Sequence, residues 1–303
     1  MRGTLSLDAL NSNTKDPVVG FLKQKIVEND RGDRRDRVEL VGIGFHWPNL
    51  GMLHELEHTL GYNPLRTAEY AKATGAIDHV AIPEQKTFSA LNPSWDALLD
   101  DMLGLRWIAT SRPAGEIDKK LAPGRLIEVA HFPPIPGIYP APGRPETWIY
   151  ENPRALPRVL LVDRARLVDF DRILDEGEWP QGFDPRREVL LTRSGEDGGT
   201  VDGPLPADDG APTPLGKTEI VKYLNSEVTI EATLERPGFL VLNDAWHRWW
   251  RVEVDGRPAE LLHADLLFRA VRLEAGRHRV RFTFHPFEGA WRDVLARLHR
   301  PTG

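Results

Sequence analysis

The sequence predicts an α+β protein in three parts. A mixed α/β unit covers residues 1–156, an antiparallel β-sandwich, jelly-roll-like or Ig-like, covers 157–290, and a C-terminal tail covers 291–303. Three observations predict it. Helix-start signals with apolar residues at helical spacing stand before residue 105. From Pro157 onward, short alternating apolar stretches recur with turn signals between them and no helix among them. A Gly-, Pro- and Asp-rich stretch, 194–214, interrupts the second half as a mobile loop. At 303 residues the chain has length for two cores of ordinary size.

The elements follow in order. Asp16 before Pro17 starts a helix: the carboxylate can accept from free first-turn amides, and proline there loses nothing. Val18, Phe21, Leu22 and Ile26 then share one face. The charged run Glu28 to Arg37 mixes both signs and reads as a solvated turn before a strand over Val38 to Phe45. A second helix is expected from Asn63 as cap and Pro64 at its first turn to Gly75. A third is expected from Ser94 to Gly104, with Trp95, Leu98, Leu99, Met102 and Leu103 as its buried stripe. Strands are expected at Leu105 to Ala109, Leu126 to Phe132 and Thr147 to Tyr150, with an ordered Pro-rich loop from Pro133 to Pro145. In the second half, strands are expected at Arg158 to Val162, Arg166 to Phe170, Glu188 to Thr192, Val228 to Leu234, Phe239 to Leu242, Trp250 to Val254, Leu266 to Leu273 and Val280 to Phe284. Asp255-Gly256 is a hairpin turn, since both positions tolerate positive φ.

Composition narrows the function. With 41% hydrophobic and 28% charged residues the chain is an ordinary globular protein. A net charge of −6, with Lys and Arg interspersed among Asp and Glu, argues against a nucleic-acid partner, which requires a clustered basic face. The absence of cysteine removes disulfides and thiolate chemistry. No apolar run reaches the roughly 18 to 20 residues of a membrane span, and Met1 to Asp16 has no signal-peptide core. The chain as given is therefore expected to be soluble, neither inserted nor exported. Nine Trp and 25 Pro suggest long ordered loops with flat aromatic surfaces.

The sharpest chemical pattern is His54-Glu55-Leu56-Glu57-His58. On a helix it would set two imidazoles on one face to hold Zn beside Glu55 as general base, the arrangement of a metallohydrolase. It continues to Gly61, but Pro64 stands where a third ligand belongs, and Gly51 and Gly61 leave only a short window. Glu69 or Glu84 could serve instead. The expectation is that these histidines lie in loops and that no cofactor is held. Asp169-Phe170-Asp171 resembles a nucleotide-sugar D-x-D pattern, yet in an alternating strand both carboxylates share the solvent face. Asp197, Asp202, Asp208 and Asp209 lack EF-hand spacing and read as a flexible acidic loop.

Several separate blocks carry a resemblance. They are Asn49 to Met52 with Gly61-Tyr62-Asn63-Pro64-Leu65 and Tyr70; Leu98-Leu99-Asp100 to Trp107; Tyr150-Glu151-Asn152-Pro153 with Leu156-Pro157-Arg158; Phe239 to Asp244; Trp250-Arg251-Val252; Val254-Asp255-Gly256; Leu267 to Val271; and Ala275 to His278. Together, across most of residues 40 to 290, they resemble the C-terminal extracytoplasmic region of bacterial YfhO-like membrane proteins. The segment holding His54 to His58 falls where that family varies. The resemblance implies membrane helices before this region and a likeness to GT-C glycosyltransferases that use polyprenyl-linked sugars at the cell envelope. Their catalytic carboxylate is expected in an early loop that this chain lacks, so no catalytic residue carries over. Arg248-Trp249-Trp250 departs from the family's usual Pro-Gly-Trp, and amphiphilic Ala290 to Arg300 replaces its final membrane helix.

The function expected from all this is a module outside the cytoplasmic membrane that binds or positions a cell-envelope glycan or lipid-linked sugar beside a membrane-embedded domain or partner. Trp246, His247, Arg248 and Trp249 are its candidate ligand-binding residues, because indoles stack on sugar C–H faces while Arg and His donate to hydroxyls. Trp250 is expected to point with Val252 and Val254 into the core. The alternatives are a zinc hydrolase on His54, Glu55 and His58, and a purely structural cap on a membrane partner.

Overall fold

The computed structural model describes residues 16–43, 54–59, 67–76, 82–136, 143–192, 215–289 and 291. It is a mixed α/β protein with three mostly antiparallel sheets. No helix among the described residues is long and apolar enough to cross a membrane. The chain falls into two compact units. One comprises Met1–Asp30, Arg34–Arg158 and Asp171–Pro180; the other comprises Arg31–Asp33, Val159–Phe170 and Gln181–Gly303. The blocks Asn49 to Met52 and Gly61 to Leu65, the cap expected at Asn63, the loop 194–214 with its aspartates, and the tail beyond 291 lie outside the described residues.

In the first unit, α1 (Pro17–Asn29) starts as expected: the Asp16 carboxylate accepts from Val18 N–H at 2.8 Å and from Val19 N–H. β1 (Arg37–Val41) follows. α2 (Ala68–Thr74) is capped by Thr67 and ends at Gly75 with φ 69°. A Cβ at Gly75 would meet the Phe88 carbonyl carbon at 2.8 Å, so glycine is needed there for space as well as for conformation. α3 (Leu98–Met102) is shorter than the expected helix from Ser94. Ser94 Oγ and Trp95 N–H both donate to Asp118 Oδ2, at 2.7 and 2.8 Å, and that bonding holds the first residues in a loop.

β2 (Leu105–Thr110), the short α4 (Ala114–Ile117), β3 (Ile127–Phe132) and β4 (Thr147–Glu151) complete this unit. The sheet order is β1-β2-β4-β3, parallel only between β1 and β2. All six β2 residues are buried because both sheet faces are covered. Trp107 and Ala109 meet Val18 and Leu22 of α1 on one side, while Leu105 and Ile108 meet Trp95 and Tyr150 on the other.

The second unit contains β5 (Val159–Val162), β6 (Arg164–Val168), α5 (Phe170–Glu176, shared with the first unit), β7 (Glu188–Thr192), β8 (Gly216–Leu224), β9 (Glu227–Leu234) and β10 (Gly238–Leu242). β11 (Trp250–Val254), β12 (Arg257–Ala259), β13 (Leu262–Ala264), β14 (Phe268–Leu273) and β15 (Gly276–Phe284) follow. They form a six-stranded sheet, β5-β10-β14-β13-β7-β6, and a five-stranded sheet, β12-β11-β15-β9-β8. One core joins them: Leu240, Leu242, Val271 and Leu273 from the first meet Val228, Ile230, Ala232, Leu234, Val252, Val280 and Phe282 from the second. The predicted alternation of β9 is what places its four apolar side chains there.

Two expectations need correction. The strand expected at Arg166 to Phe170 ends at Val168, and the chain turns into α5 because Phe170, Ile173 and Leu174 have helical spacing and are all buried. The absence of helices among the strands is also overturned. β6 and β7 are parallel, and parallel neighbours need a crossover, which contains α5. β8 was not expected at all. The turn at Asp255-Gly256 has φ of 54° and 76°, the left-handed pair its sequence predicts.

Candidate functional site

The four predicted ligand-binding residues share the loop between β10 and β11. Arg248 is exposed, and Trp246, His247 and Trp249 are partly exposed. Trp246 N–H donates to Leu267 O at 2.8 Å, and its indole stacks on His263 with ring centres 4.3 Å apart and planes 14° from parallel. Phe170 meets the same imidazole edge-on at 4.9 Å. His263 Nε2 lies 2.6 Å from Leu266 O and therefore carries the ring proton; burial pushes its pKa down to about 4. Trp246 Nε1 is buried and has no hydrogen-bond partner among the described residues.

Trp249 is fixed differently. Its N–H donates to His247 Nδ1 at 3.2 Å, and the two rings meet edge-on at 4.6 Å. One indole face packs on Gly289, where any Cβ would overlap it. Trp250 belongs to the interior as expected: it packs against the shared core, and the buried Arg269 guanidinium lies 3.6 Å from its ring centre. The loop thus offers two immobilised, partly open indoles with an exposed guanidinium between them in sequence. Such a surface can stack on apolar C–H faces and donate to hydroxyls. His263 and Phe170, which support it, come from distant elements and were missed in the sequence.

The residues of the zinc pattern are not on a helix. His54 and Glu55 form a turn in which Glu55 has φ 58°, and His58 lies extended beside β1, bridged to Val38. His58 Nε2 accepts the Leu40 N–H at 2.9 Å, so the lone pair a metal would use is engaged. Burial pushes the His58 pKa down to about 4, with Glu39 opposing. Glu57 pairs with Arg35 and Arg158, Glu84 with Arg112, and Glu69 lies in the first turn of α2. Among the described residues no group of three or more metal-ligating side chains converges. Asp169 and Asp171 are exposed at the junction of β6 and α5 and do not share a strand face.

A polar cluster buried in the first unit also escaped the sequence reading. Glu39 of β1 is 2% exposed; Lys86 Nζ reaches its Oε1 at 2.7 Å, Trp95 Nε1 donates to the same oxygen at 3.0 Å, and Thr59 Oγ1 donates to Oε2 at 2.9 Å. Lys86 also lies over Phe88, 4.8 Å from the ring centre. Burial would raise the Glu39 carboxyl, but Lys86 and the further donors outweigh it and hold it below the usual range. Asp100 is different: burial first, and then the Glu39 charge, push it up to about 7. The signal available in the sequence was one carboxylate within the apolar run Val38-Glu39-Leu40-Val41.

The Tyr150-Glu151-Asn152 block is structural. Tyr150 Oη accepts Ala114 N–H at 3.1 Å, Glu151 pairs with Arg106 at 2.8 Å, and Asn152 Nδ2 donates to Asp101 Oδ1 at 2.9 Å. Arg125 joins Asp101 and Asn152 at 2.5 Å each. In the second unit, Asp244 accepts from Tyr223 Oη at 2.9 Å and from Arg269 at 3.1 Å. No family model, no curated protein and no solved structure matches the chain.

Proposed function

We propose that the chain is the extracytoplasmic part of a YfhO-like membrane protein and that its second unit, read as a β-sandwich of jelly-roll-like or Ig-like type, binds a cell-envelope glycan. Its role is to hold that glycan for a GT-C-type sugar transfer carried out by a membrane-embedded domain or partner, and this chain supplies no catalytic residue. The observation that carries the reading is the pairing of two partly open, immobilised indoles, Trp246 and Trp249, with exposed Arg248 on one loop. Indole faces recognise the C–H face of a pyranose, while the guanidinium donates to hydroxyls or to an acidic substituent.

Binding to an array of cell-envelope oligosaccharides, followed by calorimetry on the best ligand, tests it. The double substitution Trp246→Ala, Trp249→Ala is expected to weaken the Kd by roughly 10-fold or more. Undiminished affinity in that variant would move the site elsewhere. Failure of every glycan to bind would leave the structural cap on a membrane partner as the better account.

A further inference from the structure

The first unit holds two buried acceptors that lack donors among the described residues and belong to adjacent groups. Asn92 and Asp100 are each 2% exposed, and Asn92 Nδ2 donates to Asp100 Oδ1 at 3.1 Å. Asn92 Oδ1 and Asp100 Oδ2 have no hydrogen-bond partner among the described residues. An unmade bond at a buried acceptor is destabilising, and two side by side are costlier still when one carries charge. An amide that donates to one carboxyl oxygen brings its own oxygen to the other when the groups are coplanar. One proton on the carboxyl then satisfies both orphans at once.

We propose that Asp100 is a proton-binding site in which Oδ2–H donates to Asn92 Oδ1, closing a two-bond acid–amide ring, and that losing this proton loosens the turn at residues 89–92. The surroundings favour the neutral acid. Glu39 on β1 carries the negative charge that Lys86 neutralises, and Asp101, next to Asp100 on α3, is paired with Arg125 and Arg154. With those cations committed, a second carboxylate at Asp100 has no counter-charge of its own. The turn is tied to α2 as well: Asn92 N–H donates to Ser89 Oγ at 2.8 Å, and Ser89 Oγ donates to Ala73 O at 2.5 Å. Ionisation of Asp100 sets two bare oxygens against each other beside that link and thereby transmits pH to the C-terminal end of α2.

Carboxyl NMR of aspartate-labelled protein, titrated from acid to alkaline pH, reads the site directly. One aspartate is expected to titrate at about 7 rather than near the ordinary value of about 3.9, and its signal should vanish in Asp100→Asn. Asp265 is also raised, so Asp265→Asn is needed to separate the two resonances. In that same Asp100→Asn variant the new amide can still donate to Asn92 Oδ1. Exchange of the Ser89 amide, which bonds to Asn92 O at 3.1 Å, is expected to accelerate beyond its intrinsic pH dependence above neutrality in the native protein and to lose that extra acceleration in the variant. The proposal fails if the neutral-range signal survives Asp100→Asn, or if every aspartate other than Asp265 titrates below about 5. It fails equally if Ser89 exchange follows the same pH profile in both proteins. Should Asp100→Asn not fold, the native protein compared with Asp265→Asn still decides whether a second aspartate titrates near neutrality.

Discussion

Arg125 shows how the first unit uses charge as structure. Its guanidinium is 4% exposed and reaches Asp96, Asn152 and Asp101 at once. Removing it would leave Asp101 buried with only Asn152 and the more exposed Arg154, so Arg125→Ala is expected to cost about 3–5 kcal/mol in urea unfolding. Arg281 is a suitable contrast. It pairs with Glu227 at 3.0 Å and, with Lys222, holds that carboxyl at about 2, but the pair faces water, and Arg281→Ala should leave the urea midpoint nearly unchanged. Equal losses in the two variants would mean that the buried network contributes nothing special. Contiguity decided what could be read from the sequence at this scale. Trp246 to Trp249 lie together because they are neighbours in the chain. Glu39, by contrast, draws Thr59 from 20 residues away and Trp95 from 56 away, and no local pattern reports such partners. The histidine pattern belongs with the local signals: its spacing has zinc-site meaning only on a helix, and the turn at Glu55 places these residues in the loop expected from the sequence.

Among the elements, β10 and β8 stand at opposite ends of burial. All five residues of β10 are buried, and it is paired on both sides, with β5 and β14. Leu240→Ala there should cost about 2–5 kcal/mol, the transfer loss plus a cavity that neighbouring strands cannot collapse to fill. In β8, Val221 is 43% exposed, so Val221→Thr should stay within about 0.5 kcal/mol. A Leu240→Ala protein with an unchanged urea midpoint would contradict the shared core. The same contrast explains which elements were legible. α1 announced itself through Asp16-Pro17, β9 through apolar alternation, and β11 with β12 through Asp255-Gly256, all local signals. β8 alternates too, but its exposed face is Lys217 and Glu219, its inner face is only half buried, and a bulge between Ile220 and Lys222 breaks the period. The parallel pairing of β6 with β7 is a tertiary choice that neither strand's sequence encodes.

For the whole molecule, pH dependence toward neutrality follows from four buried groups, the raised acid and the imidazole of each unit. His58 and Asp100 belong to the first; His263 and Asp265 belong to the second, where burial pushes Asp265 up to about 8. Both histidines titrate at about 4 in the folded protein against 6.5 unfolded, so between those values the unfolded chain binds more protons and stability rises with pH. Both aspartates do the reverse. Above their unfolded value of 3.8 the folded state keeps a proton that the unfolded chain has released, and stability falls with pH until Asp100 ionises at about 7 and Asp265 at about 8. From pH 4 to 6.5 the two slopes in each unit nearly cancel, one proton against one. Above 6.5 the aspartates dominate, and stability should fall with pH, further in the second unit than in the first because Asp265 keeps its proton to higher pH than Asp100. Amide exchange, with β2 and β14 read separately, should therefore be nearly flat in opening free energy below 6.5 and then decline, further in β14. A profile that does not decline between pH 7 and 8 in a strand would show that its unit's buried aspartate is already ionised in the folded protein.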